Sequence, residues 1–175
     1  GAGAVPKLLQ MKLVLRFRIN YSTRWGENMM LLGSTDELGG LTSLAEPDTR
    51  KALAAGKGKV MRYISDGNWE FVSVLDSAPA EVAYRYVLIR ERGEPLVEGG
   101  PRTGRVLEVE GAARTWLRGR SPPGSVSIGP FQMEVRDQWR VSRLNGEDSV
   151  LRSDALTRVV YAAGRAFTDP AAARA

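Results

Sequence analysis

The sequence predicts an all-β fold, an antiparallel immunoglobulin-like β-sandwich of seven or eight strands with a C-terminal linker extension. Two observations carry this reading. Apolar and polar residues alternate with a period of two over short segments, which gives each segment one face for a core and one for water. Turn-forming residues separate many such segments, and their number matches a sandwich of this kind.

In Lys12 to Asn20, Leu13, Leu15, Phe17 and Ile19 alternate with polar positions that include Arg16 and Arg18. Met29 to Leu32 is a short apolar strand closed by Gly33. Lys57 to Ile64 and Trp69 to Leu75 flank Ser65-Asp66-Gly67-Asn68, which reads as a hairpin turn. In Glu81 to Arg90, Val82, Tyr84, Tyr86 and Leu88 form one face and Ala83, Arg85, Val87 and Ile89 the other. A turn at Glu91 to Glu94 follows, and Leu96 to Glu98, Arg105 to Glu110 and Phe131 to Arg136 complete the strands.

Other stretches break the pattern. Leu41 to Gly56 is polar and Ala-rich and reads as a loop with a short helix, whereas Gly111 to Gly129 reads as a mobile insertion. Ser153-Asp154 is placed to cap a short helix through Tyr161, and Ala162 to Ala175 has no burial pattern. Residues 1–11 read as a tag or leader remnant, 12–140 as the sandwich module, and 141–175 as a linker toward a following module.

Composition removes several function classes. The 175 residues suffice for one domain with extensions, but not for a (β/α)8 barrel of ~250 residues. With no cysteine and no histidine, disulfides, thiolate nucleophiles, the usual zinc sites and His-based triads are excluded. The lack of cysteine points to a cytoplasmic protein, or alternatively a plastid one. Net charge is +5 and the pI about 9.8. The arginines are nevertheless scattered, with only Arg114, Arg118 and Arg120 clustered, so no nucleic acid partner is expected. No apolar run reaches the ~20 residues of a membrane span, so no membrane partner is expected.

Gly99-Gly100-Pro101-Arg102-Thr103-Gly104 lacks the spacing of a dinucleotide loop and the lysine of a P-loop. There is no Gly-x-Ser-x-Gly elbow. The carboxylate pairs Asp36/Glu37 and Glu108/Glu110 read as solvated residues. No catalytic residue, metal or cofactor is expected.

The most informative residues are Thr23-Arg24-Trp25-Gly26-Glu27-Asn28 and then Leu32-Gly33-Ser34-Thr35-Asp36-Glu37-Leu38-Gly39, followed by Asn68-Trp69 and Tyr84-Arg85-Tyr86-Val87. In this order they resemble carbohydrate-binding module family 20, the starch-binding domain, over residues 12 to 140. Val135-Arg136-Asp137-Gln138-Trp139-Arg140 and Leu151 to Tyr161 resemble the stretch after the first such module in plant-type 4-α-glucanotransferases. There, two modules precede a family 77 glycoside hydrolase barrel.

The resemblance implies a noncatalytic module that targets a glucanotransferase to starch, maltooligosaccharide or heteroglycan. Its partners are an α-glucan, the following module and the catalytic barrel of the same polypeptide. It implies glycan contacts from Trp25 and Tyr63, with Gly26, Glu27, Asn28 and Arg62 beside them. A weaker second surface carries Arg85 and Glu98, with Leu41 and Val97 where the family has stacking aromatics. Trp69 reads as structural and Trp139 as sealing the last strand. The alternatives are a positioning domain with little glucan affinity, packed against the catalytic part, or the equivalent module of a phosphoglucan dikinase.

Overall fold

The structure, a computed structural model, describes residues 12–99, 104–111, 131–139 and 157–164. Its elements in chain order are β1 (Leu13–Asn20), β2 (Asn28–Gly33), a 3-10 turn (Asp36–Leu38), α1 (Glu46–Ala54), β3 (Lys59–Val60) and β4 (Arg62–Ser65). Then come β5 (Asn68–Leu75), β6 (Val82–Ile89), β7 (Leu96–Val97), β8 (Arg105–Leu107), β9 (Phe131–Gln138) and β10 (Thr157–Gly164).

One sheet has the order β10-β9-β1-β5-β4 and the other β3-β2-β6-β7, with β8 also pairing β6. The chain is an all-β sandwich, as the alternation predicts. β1 is antiparallel to β5 but parallel to β9, so the sheet is mixed.

The described residues hold ten strands, because the segment after residue 56 divides and a strand is added at the C-terminal side. β3 pairs with β2 in one sheet and β4 with β5 in the other. The chain changes sheets at the buried Met61, whose N–H bonds the Met29 carbonyl at 2.9 Å. The helix expected through Tyr161 is a strand instead. Thr157–Gly164 pairs antiparallel with β9, as suits a segment rich in β-branched residues beside a strand with an open edge. The expected insertion at 111–129 lies outside the described residues except for Gly111.

The core between the sheets follows the predicted alternation. Leu13, Leu15, Phe17 and Ile19 of β1 meet Met29 and Leu31 of β2 and Val82, Tyr84, Tyr86 and Leu88 of β6. Leu75, Met133 and Val135 join them. Trp69 is buried in this core, as expected of a structural Trp, and Trp139 packs at its margin against Tyr21, with ring centroids 4.8 Å apart.

A second apolar cluster lies on the other side of the smaller sheet. Leu32, Val87 and Val97 are covered there by Leu41, Leu44 and Ala52. The cover is α1 and the chain leading into it. Pro47 and the acidic Glu46 and Asp48 suit the first turn of a helix. Arg50 bonds Glu46 at 2.8 Å and the Pro95 carbonyl at 2.9 Å, which ties the helix to the segment entering β7.

The inner core also contains charge. Arg105 on β8 donates to Glu98 Oε1 and Oε2 at 3.0 and 2.5 Å, and to Asp137 Oδ1 on β9 at 3.1 Å. It also donates to the Gln138 carbonyl. The hydroxyls of Tyr84 and Tyr86 donate to Asp137 Oδ2 at 2.8 and 2.7 Å. Burial, reinforced by the Asp137 carboxylate, pushes the Tyr86 phenol well above its usual pKa. Burial alone would lower the pKa of Arg105, but its bonds to Glu98 outweigh that and raise it.

Outside the larger sheet, polar side chains of β4, β5, β1 and β9 form a charged surface. Glu70 pairs with Arg16 at 2.7 Å, Arg18 at 3.1 Å and Arg62 at 3.6 Å. Glu134 pairs with Arg18 at 3.2 Å and Arg136 at 3.3 Å. Burial works to raise the Glu70 pKa, but the hydrogen bonds and charges of Arg16 and Arg18 win and hold it below the ordinary value.

Two outcomes test these electrostatics. Arg105→Ala takes the cation from between two buried carboxylates, so urea denaturation should show a loss of about 3–5 kcal/mol. Glu70 has a folded pKa below the unfolded value of 4.5. Its contribution is therefore present above pH 4.5 and lost as pH falls through the folded pKa. Melting temperatures of the parent and Glu70→Gln should differ most at neutral pH and converge in acid; a gap unchanged by acid would contradict the linkage.

Candidate functional site

Seven residues separate β1 from Asn28, where β2 begins, and they form the tip that carries Trp25. The Glu27 N–H bonds the Arg24 carbonyl at 3.1 Å, closing a four-residue turn. Gly26 has φ +82° at the third position of that turn, a conformation glycine adopts freely. A side chain there would also meet Glu91, at 2.9 Å from its Oε2, so the turn rests against the β6–β7 loop. The Glu27 carboxylate accepts the Arg24 N–H at 2.5 Å and braces the turn from below. Trp25 occupies the second position and is 99% exposed.

Tyr63 stands on the edge strand β4 and is 51% exposed. Its ring meets the buried Trp69 edge-on, with centroids 5.3 Å apart. Its hydroxyl accepts the Gly67 N–H at 3.2 Å. That turn is the expected two-residue hairpin, with φ of 51° at Asp66 and 79° at Gly67, the conformations an Asp-Gly hairpin supplies.

The hairpin is bound to the chain leaving β1. Tyr21 N–H bonds the Gly67 carbonyl at 2.8 Å, and Asn20 Nδ2 bonds the Asp66 carbonyl at 3.1 Å. Trp25 and Tyr63 therefore belong to the same end of the sandwich, each on a braced element. The exposed Asn28 opens β2 directly beyond the Trp25 turn.

Arg62 departs from the sequence reading. It lies opposite Glu70 while Tyr63 lies opposite Trp69. Because neighbours on a strand point to opposite faces, Arg62 joins the charged outer surface and not the Tyr63 side.

The expected second surface is corrected more completely. Arg85 and Glu98 are fully buried. Arg85 donates to the Glu98 carbonyl at 2.8 Å and the Leu44 carbonyl at 2.7 Å, beneath the α1 layer. The Glu98 carboxylate holds Arg105. Leu41 and Val97 belong to the apolar cluster under the helix. Position by position, the surface that would take a sugar there is occupied by this chain's own helix layer, and its charged residues serve packing.

Sequence reasoning missed this cover, although β6 carries a signal for it. Ala83, Val87 and Ile89 make its second face apolar too, and an apolar face on both sides of a strand calls for two covering layers. Among the described residues no group of acidic side chains is arranged to hold a metal ion, and no helix is long and apolar enough to cross a membrane.

No protein-family model matches the chain, and no curated protein matches it. Among solved structures it is similar to the glycoside hydrolase family 15 glucoamylase from Hypocrea jecorina, with 16% identity and a TM-score of 0.48 over 75% of this chain and 18% of that one. It is similar to the gamma-CGTase from alkalophilic Bacillus clarkii, with 17% identity and a TM-score of 0.45 over 74% and 15%. A third similar structure is the Hormoconis resinae glucoamylase, with 17% identity and a TM-score of 0.44 over 78% and 18%. The chain spans less than a fifth of the length of each.

The two aromatics should separate in stability measurements. Trp25→Ala removes a ring that touches little, so the change should stay within about 0.5 kcal/mol. Tyr63→Phe removes the acceptor of the Gly67 N–H and should cost about 0.5–1.5 kcal/mol. A large loss for Trp25→Ala in thermal or urea denaturation would place that ring in the core.

Proposed function

We propose that this chain is a noncatalytic α-glucan-binding module, and that it targets a cytoplasmic 4-α-glucanotransferase, of which it is one part, to starch-like or heteroglycan substrate. The observation that carries the reading is Trp25, a fully exposed indole on a turn braced by Glu27 and Gly26.

An α-glucan has an apolar pyranose face and a rim of hydroxyls. A flat ring covers the first, and nearby polar groups fix the second. Tyr63 supplies a second half-exposed ring at that end of the sandwich, and Asn28 an exposed amide beside the turn. Bracing matters because a ring already held in place loses little freedom when the sugar arrives. With the face under α1 sealed, the glucan surface of this reading is the one at the Trp25 end.

That same sealed face favours the competing reading, a positioning domain that packs against its neighbours with little glucan affinity. Titration of the 175-residue chain with β-cyclodextrin decides between them. The expected result is one site, with Trp25→Ala weakening it at least about tenfold, or ~1.4 kcal/mol. Absence of binding at millimolar ligand would sink the glucan reading. Incubation with maltose and glycogen should transfer no glucose, because the chain has no room for the barrel; transfer by pure material would contradict a noncatalytic module.

A further inference from the structure

The outer face of the larger sheet shows an unusual arrangement of charge. Arg62, Glu70, Arg18 and Arg136 form one row across β4, β5, β1 and β9, each directly opposite the next. The register continues the row to Arg158 on β10. Arg16 and Glu134 stand opposite each other one step away.

A ladder built only for stability would alternate signs. Here Arg18 and Arg136 face each other directly, and like charges so placed repel. The two carboxylates do not remove the excess, since four guanidiniums over two carboxylates leave two positive charges uncompensated.

The layering adds a second observation. Glu70 and Glu134 are only 4% and 13% exposed, while the four arginine side chains are between 32% and 77% exposed. The carboxylates lie low against the sheet and the guanidiniums overlie them. Each guanidinium carries five N–H donors, and no more than one nitrogen of each contacts a carboxylate. The acids thus hold the guanidiniums and leave most of their donors unused by a carboxylate. On β1, β5 and β9 no described side chain of this face is aromatic.

From this we infer that the row centred on Arg18 and Arg136 is a binding site for a phosphate group, free or carried as a monoester. Planar guanidinium forks match tetrahedral oxyanions. A monoester carries close to two negative charges at neutral pH, the same size as the uncompensated charge of the face. Adjacent strands stand about 4.8 Å apart, so one phosphoryl group can accept from both opposed arginines and relieve their repulsion. The site is separate from Trp25 and does not rest on the glucan reading.

The test uses the 175-residue chain at low salt, with guanidinium resonances followed by NMR. The probes are inorganic phosphate, a maltooligosaccharide bearing one phosphate monoester, and its unsubstituted parent. Inorganic phosphate should shift the Arg18 and Arg136 side-chain signals saturably in the millimolar range. Arg136→Gln should weaken that binding at least about fivefold, the scale of one charge-assisted pair. Glu134 keeps Arg18 as a partner in this variant, so the fold is spared. Arg92→Gln, at an exposed position in the β6–β7 loop, is the control for net charge.

Equal losses in the two variants, or no saturable shifts, would overturn the site. A phosphorylated oligosaccharide that outbinds its parent, by a margin that Arg136→Gln abolishes, identifies the glucan-borne ester as the source. Equal affinity of the two oligosaccharides, with phosphate binding intact, supports the site with free phosphate as its ligand. Phosphate binding in a chain that ignores both oligosaccharides upholds the site while removing the glucan reading.

Discussion

The guanidinium of Arg105 joins the two sheets through their interior, and much of the structure is arranged around it. A charge in an apolar core costs several kcal/mol unless partners meet it from every side. Here Glu98 and Asp137 meet it, and Tyr84 and Tyr86 in turn satisfy Asp137. Arg105 and the tyrosines belong to one sheet and Asp137 to the other. The contact therefore fixes register as well as proximity: moving β9 by one residue would turn Asp137 outward and strand the arginine. β9 also lies parallel to β1, a pairing that no hairpin could set. The ion pair supplies the long-range mark that a tight turn supplies elsewhere.

β6 carries that order outward. Its inner face holds the tyrosines, and its outer face holds Arg85 and the apolar residues beneath α1. Buried on both sides, it is a fixed reference for β2, with which it pairs from Asn28 to Gly33. Asn28 is the residue at which the Trp25 turn ends. The stiffness of that turn thus has two origins: its own bond between Glu27 and Arg24, and anchorage through β2 to a strand that cannot shift without disturbing two cores.

How much of this was legible depends on the distance over which each feature is decided. The alternation in β1 placed Leu13, Leu15, Phe17 and Ile19 inside, and Asp66-Gly67 announced its hairpin, because period and turn chemistry are local. The exposure of Trp25 could be read from its polar flanks for the same reason. Arg85 and Glu98 could not be placed this way. The resemblance placed them at a second surface, while their burial depends on the Leu44 carbonyl and on the Arg105–Asp137 contact, which only the folded chain brings to them. The first part of the strand at Thr157–Gly164 read as a helix through Tyr161, because Leu156, Val159 and Val160 fit one side of a helix, and pairing with β9 decided otherwise. The outer arginine row was hidden similarly. Arg16 and Arg18 shared a visible face, but only register brings Arg62 and Arg136 beside them.

Arginine thus serves two opposite purposes, and Trp25 shows why the distinction bears on binding. Arg85 and Arg105 are dry, and their donors are directed to fixed acceptors of the chain itself. Arg16, Arg18, Arg62 and Arg136 stay hydrated above their carboxylates, so any partner must displace water to reach them, and the net gain per contact is small. An exposed indole behaves differently. Burying a tryptophan removes roughly 150–250 Å² from water, which at about 25 cal/mol per Å² corresponds to some 4–6 kcal/mol. Folding realises almost none of this for Trp25, because the turn holds the ring away from the core. A flat apolar ligand that covers even one face can realise a substantial share without distorting the chain, whereas a charged ligand on the arginine row gains chiefly by relieving repulsion already present. The proposed glucan contact at the Trp25 end thus rests on apolar burial, and the inferred phosphate contact of the outer sheet on relief of like-charge repulsion.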